Sequence, residues 1–322
     1  MNLESQYIRF ALSINSQHRL VCGLLFALTL VFSCSGCQSF SQLLARRGTA
    51  AEANRLMQGG INALQDGRTS QAESLLNRAA TTRPEDPRIR ENLARALAQQ
   101  GKLDLAIENM SQAVTNSHGD PLLNVQLGKL YLQAGQLPQA AGQASLALEL
   151  NRKLPEAWTL KAESELAQGN LSSALSHFQR ALGYQPNMPD VQIKVASIQR
   201  QLGRPMRALS TLEHMLRQYP TEQQPEPAVI LASSVLMDVQ QTGHAIEMLT
   251  AATERQNSTS AAFVQLSKAQ LAAGQLSQAR LTLVQASSAF PDQPEIQQQL
   301  AGLQSSDERV AAAGLDNENV IR

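Results

Sequence analysis

The chain has 322 residues, with 27 basic and 27 acidic side chains, and aromatic residues make up only 4% of it. Balanced charge without a basic stripe excludes an electrostatic footprint for nucleic acid, and so few aromatics exclude a wide globular core built on large rings. Alanine, leucine and glutamine dominate, and no stretch alternates apolar with polar residues, so helices are expected and sheet is not.

At the N-terminus, Arg9 and Arg19 precede the apolar run Leu20–Ser33, and small residues follow it. A basic start, an apolar run and small residues before a cut read as an export signal. The run is shorter than the roughly 20 apolar residues that span a bilayer. Ser35-Gly36-Cys37 resembles the end of a bacterial lipobox, in which the cysteine is lipidated and becomes the mature N-terminus. That pattern prefers leucine three residues before the cysteine, and here Cys34 stands there. Lipidation of Cys37, an uncleaved signal anchor and ordinary cleavage are therefore all open. Cys22, Cys34 and Cys37 are the only cysteines, so the rest of the chain has no disulfide and no thiol for catalysis or metal binding. Each buried lipid CH₂ is worth about 0.8 kcal/mol, so two or three acyl chains would hold the protein firmly on a membrane. Residues 1–37 are read as signal or anchor and 38–52 as a linker. Gln38, not aspartate, follows Cys37, which favours an outer-membrane lipoprotein facing the periplasm of a bacterial cell envelope. Cleavage before Cys37 removes Arg9, Arg19 and Glu4 and leaves the mature chain one charge short of neutral.

A single period organises the chain beyond this segment. Gly67, Gly101, Gly135, Gly169 and Gly203 are each 34 residues apart, and Ala72, Ala106, Ala140, Ala174 and Ala208 keep the same step. Pro87, Pro121, Pro155 and Pro189 keep it too. A fixed period in this range marks a stacked repeat array. In residues 121–154, Asp120 is placed to cap a first helix and Pro121 suits its first turn. Leu127, Gly128 and Tyr131 fall on one face, Gly135 ends the helix, and a second helix is expected from Leu137 to Leu150. Its Ala140, Ala144 and Ala147 would form a close seam. Thr49 with Glu52 reads as a capping box before the first helix.

These residues resemble the tetratricopeptide repeat family. Trp158, Ala162, Ala174, Phe178, Ala181 and Pro186 match its pattern in one repeat, and Leu127, Gly128, Tyr131, Ala140 and Ala147 in another. Gly60, Ala72, Leu76, Ala79 and Pro84 match in the first, Ala208, Leu212 and Pro220 in the fifth, and Phe263, Leu266, Ala279, Leu283, Ala286 and Pro291 in the seventh. The resemblance implies an all-α fold, a right-handed α-solenoid superhelix of helix-turn-helix repeats at about 53–86, 87–120, 121–154, 155–188, 189–222, 226–259 and 260–293. Lys161 stands where leucine is usual, with Leu160 beside it as a substitute. From Ala208 to Ala245 the step is 37, so three residues are added within 219–227, either a tolerated loop or a hinge. Gln240 stands where other repeats have glycine. Residues 294–304 read as a capping helix, with Ile296, Leu300 and Leu303 covering the last repeat and glutamines facing water. Residues 305–322 read as a mobile tail.

Nothing catalytic is expected. His18, His118, His177, His214 and His244 are scattered, and no metalloprotease, nucleophile-elbow or phosphate-loop motif occurs. No cofactor, metal or nucleic acid is expected. Resemblance to the family implies a concave groove lined by the first helices. It would carry Arg88, Glu91 and Arg95, then Val125, Lys129 and Leu132, then Glu156, Thr159 and Glu163, then Ile193 and Arg200, and finally Val264 and Lys268. Trp158, the only tryptophan, sits at a structural position of the family pattern and is expected in the core. The chain thus reads as a non-catalytic scaffold or adaptor of the cell envelope, binding a partner protein or peptide segment in the groove. Proteins of this outline resemble assembly factors for pili, secretion or outer-membrane machinery, and adaptors for wall enzymes. The other reading is a structural or self-associating membrane-anchored protein whose groove binds nothing.

Overall fold

The computed structural model describes residues 49–303. The export segment, Cys37 and most of the linker precede that range, and the tail follows it, so those expectations lie outside the described residues. Within the range the chain is all-helical. Helix α1 covers 49–65, and α2 (Thr69–Thr82), α3 (Pro87–Gln99), α4 (Leu103–Asn116) and α5 (Pro121–Gln133) follow. Then come α6 (Leu137–Leu150), α7 (Pro155–Ala167), α8 (Leu171–Tyr184), α9 (Pro189–Gln201) and α10 (Pro205–Leu216). The set ends with α11 (Glu226–Asp238), α12 (Thr242–Thr253), α13 (Ser260–Ala272), α14 (Leu276–Ala289) and α15 over 294–303. Residues 49–52, expected as the end of the linker, are helical.

The described residues form two compact units, with the break between Ala134 and Gly135. In the first unit α2 packs on α3, α3 on α4 and α4 on α5, and one apolar cluster runs from Ala53 to Leu130. In the second unit each helix from α6 to α13 packs on its successor. Its apolar clusters centre on Phe178 with Val191 and Val195, on Leu212 with Leu249, and on Leu283 with Ile296.

The helix boundaries have local causes. Asp120 caps α5 by accepting the Leu122 amide at 2.9 Å, and Asp86 caps α3 through the Arg88 amide at 3.1 Å. Proline occupies the first turn of α3, α5, α7 and α9, where an amide proton has no intrahelical partner. First helices end in a turn whose amide reaches back five residues, as from Lys102 to the Leu97 carbonyl at 3.0 Å and from Asn170 to the Glu165 carbonyl at 2.9 Å. That closure needs a left-handed residue just before the donor. Gly101 (φ 75°) and Gly169 (φ 82°) supply it, while at the sixth repeat Gln240 adopts φ 62° with its side chain in place.

The inserted residues form a short 3₁₀ turn, Thr221–Gln223. Gln224 donates to the Leu216 carbonyl at 3.3 Å, the Arg255 guanidinium donates to the Gln224 carbonyl at 2.8 Å, and the Thr259 amide donates to Glu226 at 3.3 Å. The loop is thus tied to both flanking repeats. At the C-terminal end, Ile296 is fully buried with Val264, Leu283 and Ala286, Leu300 and Leu303 pack against that cluster, and Gln297 and Gln298 face solvent.

Close approach governs the helix pairs. A Cβ added to Gly60 would lie 2.5 Å from Leu76 Cγ, whereas one added to Gly142, exposed on α6, would meet nothing within 4 Å. Gly60→Ala should therefore lower the melting temperature, because overpacking of about 1–3 kcal/mol exceeds the propensity gain of about 1 kcal/mol. Gly142→Ala should raise it by that propensity term alone. Gln240→Gly should also stabilise, by about 0.5–1 kcal/mol, as it relieves a left-handed side chain at the cost of backbone entropy. Urea unfolding of the three variants, followed by circular dichroism, measures all three signs.

Candidate partner-binding surface

The residues expected to line a groove sit on the first helices, α3 and α5 in the first unit and α7, α9 and α13 in the second. Much of their polar chemistry is spent between repeats. Gln126 donates to Glu91 at 3.0 Å, joining α5 to α3. Lys194 pairs with Glu163, joining α9 to α7. Arg200 holds Asp238 through two nitrogens, one contact being 3.0 Å, and so joins α9 to α11. Gln265 donates to Ser234 at 2.8 Å, and Lys268 reaches Glu295 at 3.1 Å. Hydrogen bonding to Asp238 raises the Arg200 guanidinium above its ordinary value, against the opposing effect of burial.

Two members of the expected set are corrected. Val125 is 2% exposed and Val264 4%, so both are core residues and present nothing to a partner. Val264 packs with Leu283, Ala286 and Ile296. Leu132, Ile193, Glu156 and Thr159 are partly buried, and one oxygen each of Glu156 and Thr159 is buried without a hydrogen-bond partner. Exposed side chains remain at Arg88, Arg95 and Lys129 of the first unit and at Lys268 of the second. Arg88 folds back on the cap residue Asp86 at 3.1 Å, and Arg95 touches only Asn92 of its own helix, at 3.3 Å. Lys129 has no polar partner among the described residues.

Burial pushes the Asp86 carboxyl up, but the hydrogen bonds and charge of Arg88, with the charge of Arg83, outweigh it and hold the group below the usual carboxylate range. Trp158, expected in the core, is only partly buried. Its indole N–H donates to the Arg152 carbonyl at 2.9 Å, and its ring lies 5.6 Å from the His177 ring and 4.8 Å from the Arg180 guanidinium carbon. Leu160, in place of the usual neighbour, is fully buried, which leaves Lys161 partly exposed. Among the described residues no cluster of three or more His, Cys, Asp or Glu could hold a metal ion, and no helix is long and apolar enough to cross a membrane.

Tandem antiparallel helix pairs with left-handed turns and alanine seams define a repeat scaffold. Tetratricopeptide repeat models match residues 57–121 and 125–189, and again 165–226 and 236–303. The chain belongs to the tetratricopeptide repeat family, whose members are typically non-catalytic protein-interaction scaffolds. Solved structures share the fold at low identity. A tetratricopeptide repeat protein of Parabacteroides merdae superposes with a TM-score of 0.59 at 16% identity, covering 79% of this chain and 99% of that one. Pseudomonas aeruginosa pilF gives 0.57 at 15% identity, covering 70% and 99%. A chain of the APC/C hetero-tetramer Cut9–Hcn1 gives 0.56 at 19% identity, covering 71% of this chain and 44% of that one. No curated protein matches this chain in sequence.

The lowered Asp86 value fixes the sign of a pH effect. Its contribution is complete above the unfolded carboxylate range and fades as pH falls through the lower folded value. Asp86→Asn keeps a capping side chain but removes the charge, so it should cost about 1 kcal/mol near pH 7, an amount set by charge-assisted bonds to partly exposed arginines. At a pH well below the usual carboxylate range the difference from the parent should shrink, as the aspartate takes up its proton too. Urea titrations at the two pH values check this.

Proposed function

We propose that this protein is an adaptor of the bacterial cell envelope, exported, tethered through Cys37, and holding a partner protein or peptide segment along the first-helix face of its repeats. The observation that carries the reading is Arg95 and Lys129 on α3 and α5, exposed cations that no neighbouring repeat engages. Charges left in water on a rigid face are available to steer and orient a partner. The tether rests on the sequence alone, on Arg9, Arg19, the run Leu20–Ser33 and Ser35-Gly36-Cys37. Gln38 after the cysteine supports the outer membrane as its site.

A second reading is self-association. It is favoured by Leu281 and Val284, 56% and 48% exposed on α14, apolar side chains of a size usually covered.

Two measurements separate these readings. Replacing Arg88, Glu91 and Arg95 together with alanine should abolish recovery of cross-linked partners from living cells while leaving the helical spectrum unchanged. Full recovery with that variant, alongside concentration-dependent dimers in sedimentation that Leu281→Glu abolishes, would replace the adaptor by the self-associating form. Cys37→Ser should release the protein from membranes washed with carbonate only if the segment is still cleaved; a variant that stays fully embedded favours a signal anchor.

A further inference from the structure

In the second unit a cleft of about 470 Å³ opens between the second helices α6 and α8, with α7 between them. Its volume falls in the range of ligand clefts, about 300–1,000 Å³. Three cations converge on it: Arg152 just past α6, Lys161 on α7 and Arg180 on α8. Glu149 is the one acid of its lining. None of the three cations has a carboxylate within ion-pair distance among the described residues. Elsewhere in the same unit Lys194, Arg200 and Lys268 are each paired to an acid of a neighbouring first helix or of the capping helix.

The cations stand around an aromatic surface already fixed in place. The Trp158 indole is locked by its 2.9 Å bond to the Arg152 carbonyl, and Arg180 stacks over the ring at 4.8 Å. Stacking holds a guanidinium flat and leaves its edge N–H groups pointing outward, the geometry that takes a carboxylate with two parallel bonds. Tyr184, 48% exposed, adds apolar surface at the same opening. Burial, and after it the charge of Lys161 and, more weakly, that of Arg180, push the neighbouring His177 imidazole below its ordinary value despite Glu165.

We propose that this cleft is a second binding site, taking an acidic peptide segment whose carboxylates pair with Arg152, Lys161 and Arg180 while an adjacent apolar side chain lies against Trp158 and Tyr184. It is separate from the first-helix face and does not depend on the adaptor reading. A peptide fits better than an anionic bilayer, because Arg152, Lys161, Arg180 and Trp158 gather at one cleft of about 470 Å³, the scale of a few side chains.

Trp158 is the chain's only tryptophan, so its fluorescence reports occupancy without a label. The test titrates the full chain with a capped hexapeptide of two Leu-Glu-Glu units at low salt, and with its Leu-Gln-Gln counterpart. Saturable change with the acidic peptide, and binding weaker by about 10-fold or more with the neutral one, is expected from the loss of charge-assisted pairs. Arg152→Ala combined with Arg180→Ala should weaken the acidic peptide by about 10-fold or more on the same grounds. Lys161→Gln, which leaves the stack on Trp158 intact, should weaken it severalfold, and it keeps the test valid if the double variant misfolds. The alanine variant at Arg88, Glu91 and Arg95 should titrate like the parent. Equal binding of the two peptides overturns the proposal, as does a fluorescence response to phosphatidylglycerol vesicles but not to the acidic peptide. Loss of the signal only in the first-helix variant would overturn it too, by moving the site to that face.

Discussion

The fold depends on how closely a second helix can approach the first helices it packs on. Ala72, Ala106, Ala140, Ala174, Ala208, Ala245 and Ala279 hold one station of the second helices, and all are fully buried. Four residues further on, the station is filled by Leu76, Met110, Ala144, Phe178, Leu212, Leu249 or Leu283, and none of these is more than 1% exposed. Size at that station varies widely, so the first helix has to yield. Its facing position is always small: Gly60 against Leu76, and Ala94, Ala162, Ala196, Ser233 and Ser267 at the equivalent places, all fully buried apart from the glycine's own small exposure. Interiors are packed to crystal-like density, so wherever that station is large the residue opposite is small, and only the pair of Ala144 with Gly128 is small on both sides. Such a seam leaves no wide interior for a buried site, and binding has to be done by side chains on the surface.

That seam was legible because it repeats. The left-handed turn at the first-helix ends favours glycine, present at all but Gln240, the second-helix seam requires alanine, and both recur at 34 residues apart from the one insertion. Asp120, Pro121 and the limits of α6 follow from chemistry within a few residues of themselves. The anchoring of the inserted loop was not legible, since it depends on Arg255, 31 residues from the carbonyl it holds.

The surface was less legible than the core, for a related reason. Whether a first-helix side chain meets solvent depends on the helix one repeat away. Val264 looks open on its own helix and is closed by Leu283 and Ala286 of α14 together with Ile296 of α15. Glu163 and Arg200 look like ligand contacts until Lys194 and Asp238, 31 and 38 residues distant, come within reach. Family position says where a side chain points but not whether a neighbour already holds it. Trp158 shows the converse. Its position marked it as core, yet Arg152 and Arg180, on either side of it in the chain, leave one edge of the ring in an open cleft.

Pairing between first helices therefore carries functional information. Each such pair is partly exposed and contributes little stability, about 0–1 kcal/mol. Its larger effect is to remove two charges from the set that could meet a partner. In the second unit this removal is nearly complete on the first-helix side, where Glu163, Arg200 and Lys268 are all engaged. The cations around Trp158 escape it because none of the carboxylates on α6 and α7 comes within ion-pair distance of them. In a thin repeat array the unpaired charges, more than the total charge, decide where a ligand can gain from binding.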